Sequence, residues 1–211
     1  MAALIFDFDG TLADTRAGIL ATAQEVLRRM GLPEADPVAL AATIGLPLRD
    51  NFTRGAGLSD EDADRAVVIY RAIFEEVGVP AITAFPGVSE VLGTLASRGV
   101  PMAVATSRGQ HSLEMLMHGL GLDRYIPPER CFGVETSARP KPAPDMVYVI
   151  LGKLGSKPGE TLVVGDTTFD IEMGRAAGCF TCGVTWGNQS ADVLAGARPD
   201  FLIDDIRKLL L

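Results

Sequence analysis

The sequence is short of the residues that mark several large protein classes. Across 211 residues there are two histidines, three cysteines and one tryptophan, and aromatic residues make up 6% of the chain. Cys131, Cys179 and Cys182 are odd in number and lack the four-ligand spacing of a zinc site. That excludes a disulfide framework and a structural zinc, and points to a reducing compartment. Cys179 and Cys182 form a C-x-x-C pair, but they flank Phe180 to Val184, which reads as a strand. Residues three apart on a strand point to opposite faces, which argues against a redox pair. His111 and His118, seven apart, are too widely spaced for a two-histidine metal pair and read as helix-surface residues.

Positive charge is scarce as well. Lys plus Arg number 19 against 27 Asp plus Glu, a formal charge of −8, the wrong sign for a chain whose main task is binding nucleic acid or an anionic membrane. No run approaches the ~18 apolar residues of a membrane span. Met1 to Phe6 has no basic residue before Asp7 interrupts it, too little for the ~7–15-residue apolar region of a signal peptide. Cytoplasmic residence is the expectation. What is plentiful is apolar residues, 47% of the chain beside 22% charged, the balance of a globular protein with a sizeable core.

Ala3 to Phe8 is a short apolar run cut by an acidic cluster, the pattern of a buried strand ending in a polar loop. From Arg16, residues Ile19, Leu20, Ala23, Val26, Leu27 and Met30 recur at helical spacing, with Asp14 or Thr15 as N-cap and Gly31 as the stop. A second helical pattern runs from Ala63 through Ala66, Val67, Tyr70, Ile73 and Phe74 to Val77, and no strand is expected between Thr15 and Ala81. After Pro86-Gly87 helices and strands alternate. Helices are expected over Val88 to Arg98, Gln110 to His118, Pro144 to Leu154 and Thr168 to Ala177. Between and after them fall strands over Pro101 to Thr106, Cys131 to Val134, Thr161 to Gly165 and Phe180 to Thr185. Such alternation means right-handed crossovers and a parallel sheet covered on both faces. The expected architecture is therefore α/β, a doubly wound (Rossmann-like) parallel-sheet core of residues 1–14 and 82–211 with an inserted α-helical cap of residues 15–81. An insertion after the first strand covers the carboxyl edge of the sheet, where ligands of open parallel sheets bind.

Four polar signals fall just past apolar runs at that edge. Asp7-Phe8-Asp9-Gly10-Thr11 has two carboxylates at i and i+2 and a glycine for a sharp turn. A solvated acidic turn gives this pattern, and so does a magnesium site, since hard oxygen ligands suit that ion. Thr106-Ser107 precedes a helix, where a hydroxyl either caps the helix or joins its free amides around a phosphate. Lys141 lies among Pro140, Pro142 and Pro144, which fix the backbone that presents the ammonium, although Pro144 also suits a first helical turn. Gly165-Asp166 and Asp170 begin another helix. Their spacing of four places both acids on one side of its first turn, and the helix dipole also favours acids there.

Taken in order, Asp7-Phe8-Asp9-Gly10-Thr11, Thr106-Ser107, Lys141-Pro142-Ala143-Pro144 and Gly165-Asp166 with Asp170 resemble the haloacid dehalogenase-like hydrolase superfamily, in its phosphoglycolate phosphatase-like branch. The resemblance runs from residue 5 to about residue 187, including Val184-Thr185-Trp186-Gly187. It implies a Mg-dependent phosphatase that hydrolyses a small-metabolite phosphate monoester, phosphoglycolate-like, through an aspartyl-phosphate intermediate. Asp7 would be the nucleophile and Asp9 the general acid and then base. Magnesium would be held by Asp7, the main-chain carbonyl of Asp9 and Asp166, with Asp170 in contact directly or through water. Thr106, Ser107 and Lys141 would hold the phosphoryl oxygens. The expected partner is a small phosphorylated metabolite, with no nucleic acid and no membrane, and the chain a monomer or homodimer. A phosphomutase or pyrophosphatase of the same superfamily and a receiver-like phospho-binding module are the alternatives; Asp9 and the 67-residue insertion weigh against the last. In the insertion, Arg16, Arg49 and Arg54 are candidates to recognise a substrate carboxylate, Arg49 first because it follows the Gly45-Leu46-Pro47 turn. Trp186 is expected to pack at the lip of the sheet.

Overall fold

The computed structural model describes residues 2–211. Its organising element is β1 (Ala3–Phe6), four apolar residues with every side chain buried, as a strand covered on both faces requires. Two short strands, β2 (Ala13–Asp14) and β3 (Thr83–Ala84), pair antiparallel. The remaining strands are β4 (Met102–Ala105), β5 (Cys131–Phe132), β6 (Thr161–Gly165), β7 (Phe180–Val184) and β8 (Phe201–Ile203). With β1 they form one parallel sheet in the order β5-β4-β1-β6-β7-β8. The chain moves outward from β1 through β4 to β5, crosses back to β6, and continues outward on the other side. The order therefore reverses between β1 and β6, and a crevice opens beyond their carboxyl ends.

Alternation along β1 divides the core. Leu4 and Phe6 belong to one cluster together with Val104, Leu162 and Val164, while Ile5 joins Ala103, Ala105 and Val163 in the other. Helices α1 (Arg16–Arg29), α2 (Pro37–Ala42), α3 (Leu48–Asp50) and α4 (Asp60–Val77) lie between β2 and β3, with a π-helical turn over Asn51–Gly55. Then come α5 (Val88–Ser97), α6 (Gln110–Gly119), α7 (Asp145–Leu154), α8 (Thr168–Ala176) and α9 (Ala191–Gly196). Apolar stripes of α5 and α6 (Val91, Leu95, Leu113, Leu116) cover the Phe6 face. Met146, Ile150 and Met173 of α7 and α8 cover the Ile5 face. No helix among the described residues is long and apolar enough to cross a membrane.

The helical segment is held by its own aromatic packing. Ser59 caps α4 by accepting from the Asp62 amide at 3.2 Å, and Tyr70 stacks on Phe74 at 5.4 Å and meets the edge of Phe52 at 6.1 Å. Gly18 lets α1 approach the end of α4, where a Cβ would stand 2.4 Å from the Gly78 carbonyl.

Several expectations need correction. The first strand ends at Phe6 because the Phe8 carbonyl already accepts from the amides of Thr11, Leu12 and Ala13, which turns the chain. The strand expected over Cys131 to Val134 stops at Phe132, and Val134–Thr136 form a 3-10 turn instead. The ribbon of β2 and β3 and the edge strand β8 were not expected. Two or three residues carry no period, and Phe201 and Leu202 are exposed, as an edge strand allows.

Ile5 is fully buried at the centre of the sheet, so Ile5→Ala should lower unfolding free energy by about 2–5 kcal/mol. Urea denaturation checks this, and an unchanged midpoint would contradict the central placement of β1.

Candidate active site

Asp7, Thr106 and Asp166 each follow the last residue of a sheet strand. The Asp7 amide donates to the Val164 carbonyl at 2.8 Å, so the β1–β6 ladder runs one step further and fixes the backbone of Asp7 at the crevice. Gly10, at φ +89°, turns the chain beside Asp166. A Cβ on Gly10 would stand 2.1 Å from Asp166 Oδ2, so only glycine allows this approach. Asp166 follows β6 directly and Asp170 lies in the first turn of α8. The two converge across the strand–helix turn rather than as neighbours on one helical face, a correction to the spacing argument.

Lys141 binds two of these carboxylates. Its Nζ donates to Asp7 Oδ1 at 2.7 Å and to Asp170 Oδ1 at 2.5 Å, all three groups being buried. The second oxygen of Asp170 accepts from Thr167 N at 3.1 Å and Thr167 Oγ1 at 2.7 Å, so one carboxylate caps α8 and holds the lysine. Burial alone would lower the pKa of the ammonium, but Asp170 and Asp7 outweigh it and hold it above its ordinary value.

Asp166 accepts from Thr11 Oγ1 at 3.2 Å, from the Asn188 amide at 2.6 Å and from Asn188 Nδ2 at 2.9 Å. The same Nδ2 donates to the Asp9 carbonyl at 3.3 Å, which brings that carbonyl beside Asp166. Asn188 was not found from the sequence. Its only signal was its place just past β7, next to Trp186-Gly187. Trp186 does pack at the sheet's lip, donating from Nε1 to the Thr11 carbonyl at 3.1 Å and meeting Phe85 edge-on.

Oxygens of Asp7, Asp166 and Asp170 lie within 4.8 Å of one another. Burial, together with repulsion from Asp170 and Asp166, raises the pKa of Asp7 well above the carboxylate range, and Lys141 offsets only part of it. Burial and the charge of Asp170 push Asp166 up to about 7. Three buried carboxylates that repel one another, all hard oxygen donors, are the chemistry of a divalent-cation site.

The side chain of Asp9 stands apart from that cluster. Arg108 grips it through two bonds, Nη2 to Oδ1 at 2.5 Å and Nε to Oδ2 at 3.1 Å, and donates from Nη1 to Ser112 Oγ at 2.9 Å. The guanidinium also lies over the Phe74 ring of α4 at 4.8 Å. Arg108 was missed because the sequence argument stopped at the hydroxyls before it. Thr106 Oγ1 accepts from the Arg108 amide at 3.2 Å, and Ser107 Oγ donates to the Gly45 carbonyl at 2.7 Å. The Ser107 hydroxyl thus ties the helical segment to the core. The expected free amides at the next helix start are also partly used: α6 begins only at Gln110, whose N–H donates to Glu135.

Above these residues is a cavity of about 470 Å³ lined by Asp7, Asp9, Thr106, Ser107 and Arg108 below and by residues of the helical segment above. Arg49 reaches this cavity, but its guanidinium is paired with Asp60 at 2.9 Å and Asp64 at 2.6 Å in a solvated position. Arg16 and Arg54 do not line it.

The raised carboxylates have a consequence for stability. Burial pushes the Asp166 carboxyl up to about 7 in the folded chain, whereas in the unfolded chain an aspartate loses its proton at about 3.9. Between those values the folded state binds more protons, so stability falls as pH rises. In chelator, Tm should therefore decrease from about pH 5 to pH 8, and a divalent cation should raise it more at the higher pH. A Tm that climbs over this interval and ignores the cation would contradict the cluster.

The model of the family described as haloacid dehalogenase-like hydrolase matches residues 4–184. The probable phosphatase IndB of Dickeya dadantii is 38% identical over 98% of this chain and 91% of its own length. The phosphoglycolate phosphatase of Pectobacterium atrosepticum is 33% identical over 98% of this chain and 90% of its own. A solved structure from Haemophilus somnus, described as a predicted phosphoglycolate phosphatase, shares the fold with a TM-score of 0.92 at 24% identity, covering 100% of this chain and 96% of that one. The chain with its parallel sheet, buried aspartate cluster and Lys141 belongs to the haloacid dehalogenase-like hydrolases, among the phosphatases of the phosphoglycolate phosphatase-like branch.

Proposed function

We propose that the chain is a Mg²⁺-dependent phosphatase that hydrolyses phosphate monoesters of small metabolites through an aspartyl-phosphate on Asp7. The observation that carries this reading is the buried carboxylate of Asp7 at the end of the central strand, facing the cavity and bound by Lys141. In the first step an Asp7 oxygen attacks phosphorus, the ester P–O bond breaks, and Asp9 gives its proton to the departing alcohol. In the second, Asp9 takes a proton from water, whose oxygen attacks phosphorus, and inorganic phosphate leaves with Asp7 restored.

The donor set fits the ion. Asp7, Asp166 and the Asp9 carbonyl would hold Mg²⁺, with Asp170 in contact directly or through water. Bound there, the ion would neutralise charge on the phosphoryl oxygens. The charges support this. With the carboxyls ionised, as a bound cation would favour, Asp7, Asp9, Asp166 and Asp170 bring −4 and Lys141 with Arg108 +2, so −4 + 2 = −2 remains, which one divalent cation would offset. Lys141 would also hold the incoming phosphoryl group, helped by Thr106 and the backbone around Ser107. Monoester hydrolysis can need accelerations near about 10²¹, beyond any single contact.

Residues 1–14 and 82–211 are the catalytic core in this reading, and 15–81 the cap. The β2–β3 ribbon joins them, and parting of cap and core would admit substrate. Buried free thiols at Cys131, Cys179 and Cys182 suit a reducing compartment, and we place the enzyme in the cytoplasm.

Arg108 occupies both oxygens of Asp9, so proton delivery requires one of these bonds to open. We assign Arg108 as the positioning residue for Asp9. With Mg²⁺ the protein should release phosphate from a monoester panel, and Asp9→Asn should lower kcat by about 10²–10⁴-fold. Asp7→Asn should leave no measurable turnover, and an active Asp7→Asn enzyme would overturn the reading.

A further inference from the structure

Resting on the phosphatase reading, we infer that the alcohol part of the substrate is apolar and considerably larger than glycolate. The cavity above Asp7 and Asp9 holds about 470 Å³, within the range of about 300–1,000 Å³ of sites for whole organic molecules. A glycolyl group or a second phosphoryl group would leave most of it to water.

The wall has the wrong chemistry for such small polar groups. Val67, Tyr70 and Phe74 line the cavity from successive turns of α4, at i, i+3 and i+7. Leu46 faces it from the turn leading into α3, Leu48 from the start of α3, and Met115 from α6. Leu46, Leu48, Val67 and Met115 are only half-buried, so apolar surface from three elements stays open to this one space. An apolar ligand covering it gains the free energy that water now withholds.

Charge on the wall argues the same way. Arg108 is engaged by Asp9 and Arg49 by Asp60 and Asp64. Arg71, exposed on α4, also lines the cavity, but Asp64, Glu75 and Glu135 outnumber it and weigh against a carboxylate or second phosphate on the leaving group. The floor takes the phosphoryl group, and the walls take a hydrocarbon or aromatic body.

Two arms test this with the full chain and Mg²⁺. Calorimetric titration with ethyl-, butyl- and hexylphosphonate, which cannot be hydrolysed, should show affinity rising about two- to fourfold per methylene. Hexylphosphonate should also bind more tightly than phosphonoacetate. Val67→Asp, which puts a charge into the apolar wall, should flatten the series. A flat series in the parent protein, or phosphonoacetate binding tighter than hexylphosphonate, would overturn the inference. The second arm measures phosphate release from ethyl, butyl and hexyl phosphate, whose alcohols leave with similar ease, beside phosphoglycolate and pyrophosphate. A rising kcat/KM along the alkyl series supports the inference, and preference for phosphoglycolate or pyrophosphate contradicts it. Chain-length-dependent phosphonate binding without hydrolysis of any ester would uphold the apolar site while refuting the phosphatase reading.

Discussion

Lys141 lies out of water between Asp7 and Asp170, and no other cation among the described residues pairs with either carboxylate. Removing one member of such a group leaves a buried charge uncompensated, at a cost of about 3–5 kcal/mol. The ammonium therefore ties three elements that are distant in sequence: the end of β1, the proline-framed segment around residue 141, and the first turn of α8. Asp170 can take part because Gly165 has no side chain; a Cβ there would stand 2.3 Å from Asp170. Local backbone permission, helix capping and charge pairing all meet in that one carboxylate.

A second pair performs a different task. Asp9 and Arg108 form a two-bond ion pair outside the cation cluster, and Arg108 leans on Phe74 from the helical segment. With the Ser107 hydroxyl on the Gly45 carbonyl, this makes two links between the loop after β4 and the covering helices. The two carboxylates of the first loop thus sit in unlike surroundings, one against a lysine and a cluster of acids, the other against a guanidinium and aromatic rings. In the proposed reaction a bound cation would hold Asp7 ionised for attack, and Asp9 would part from Arg108 to carry a proton.

Five of the sheet's six strands were legible because they are short apolar runs ended by turn residues, and the helices between them carry a clear period; the exposed edge strand β8 was not. Asp7, Lys141, Asp166 and Asp170 were legible as a group because a parallel sheet brings strand ends to one edge, whatever their separation in sequence. Arg108 was not, since its partner Asp9 lies 99 positions away and no local spacing connects them. Asn188 was hidden for the same reason, its partner Asp166 being 22 positions back. The bond of the Ser107 hydroxyl was hidden as well, its partner Gly45 lying 62 positions back. Arg49 shows the limit of charge alone, for its nearest acids, Asp60 and Asp64, lie on the same helical segment and bind it in solvent.

The whole account turns on whether phosphate passes through a covalent bond to Asp7. Enzyme quenched in acid during steady turnover, reduced with borohydride and analysed by peptide mass spectrometry reads this directly, because reduction converts an aspartyl-phosphate to homoserine. The account predicts homoserine in place of Asp7 alone, and only when Mg²⁺ and a hydrolysable ester are both present. Turnover without any such conversion, or conversion at Asp9, Asp166 or Asp170 instead, would contradict it.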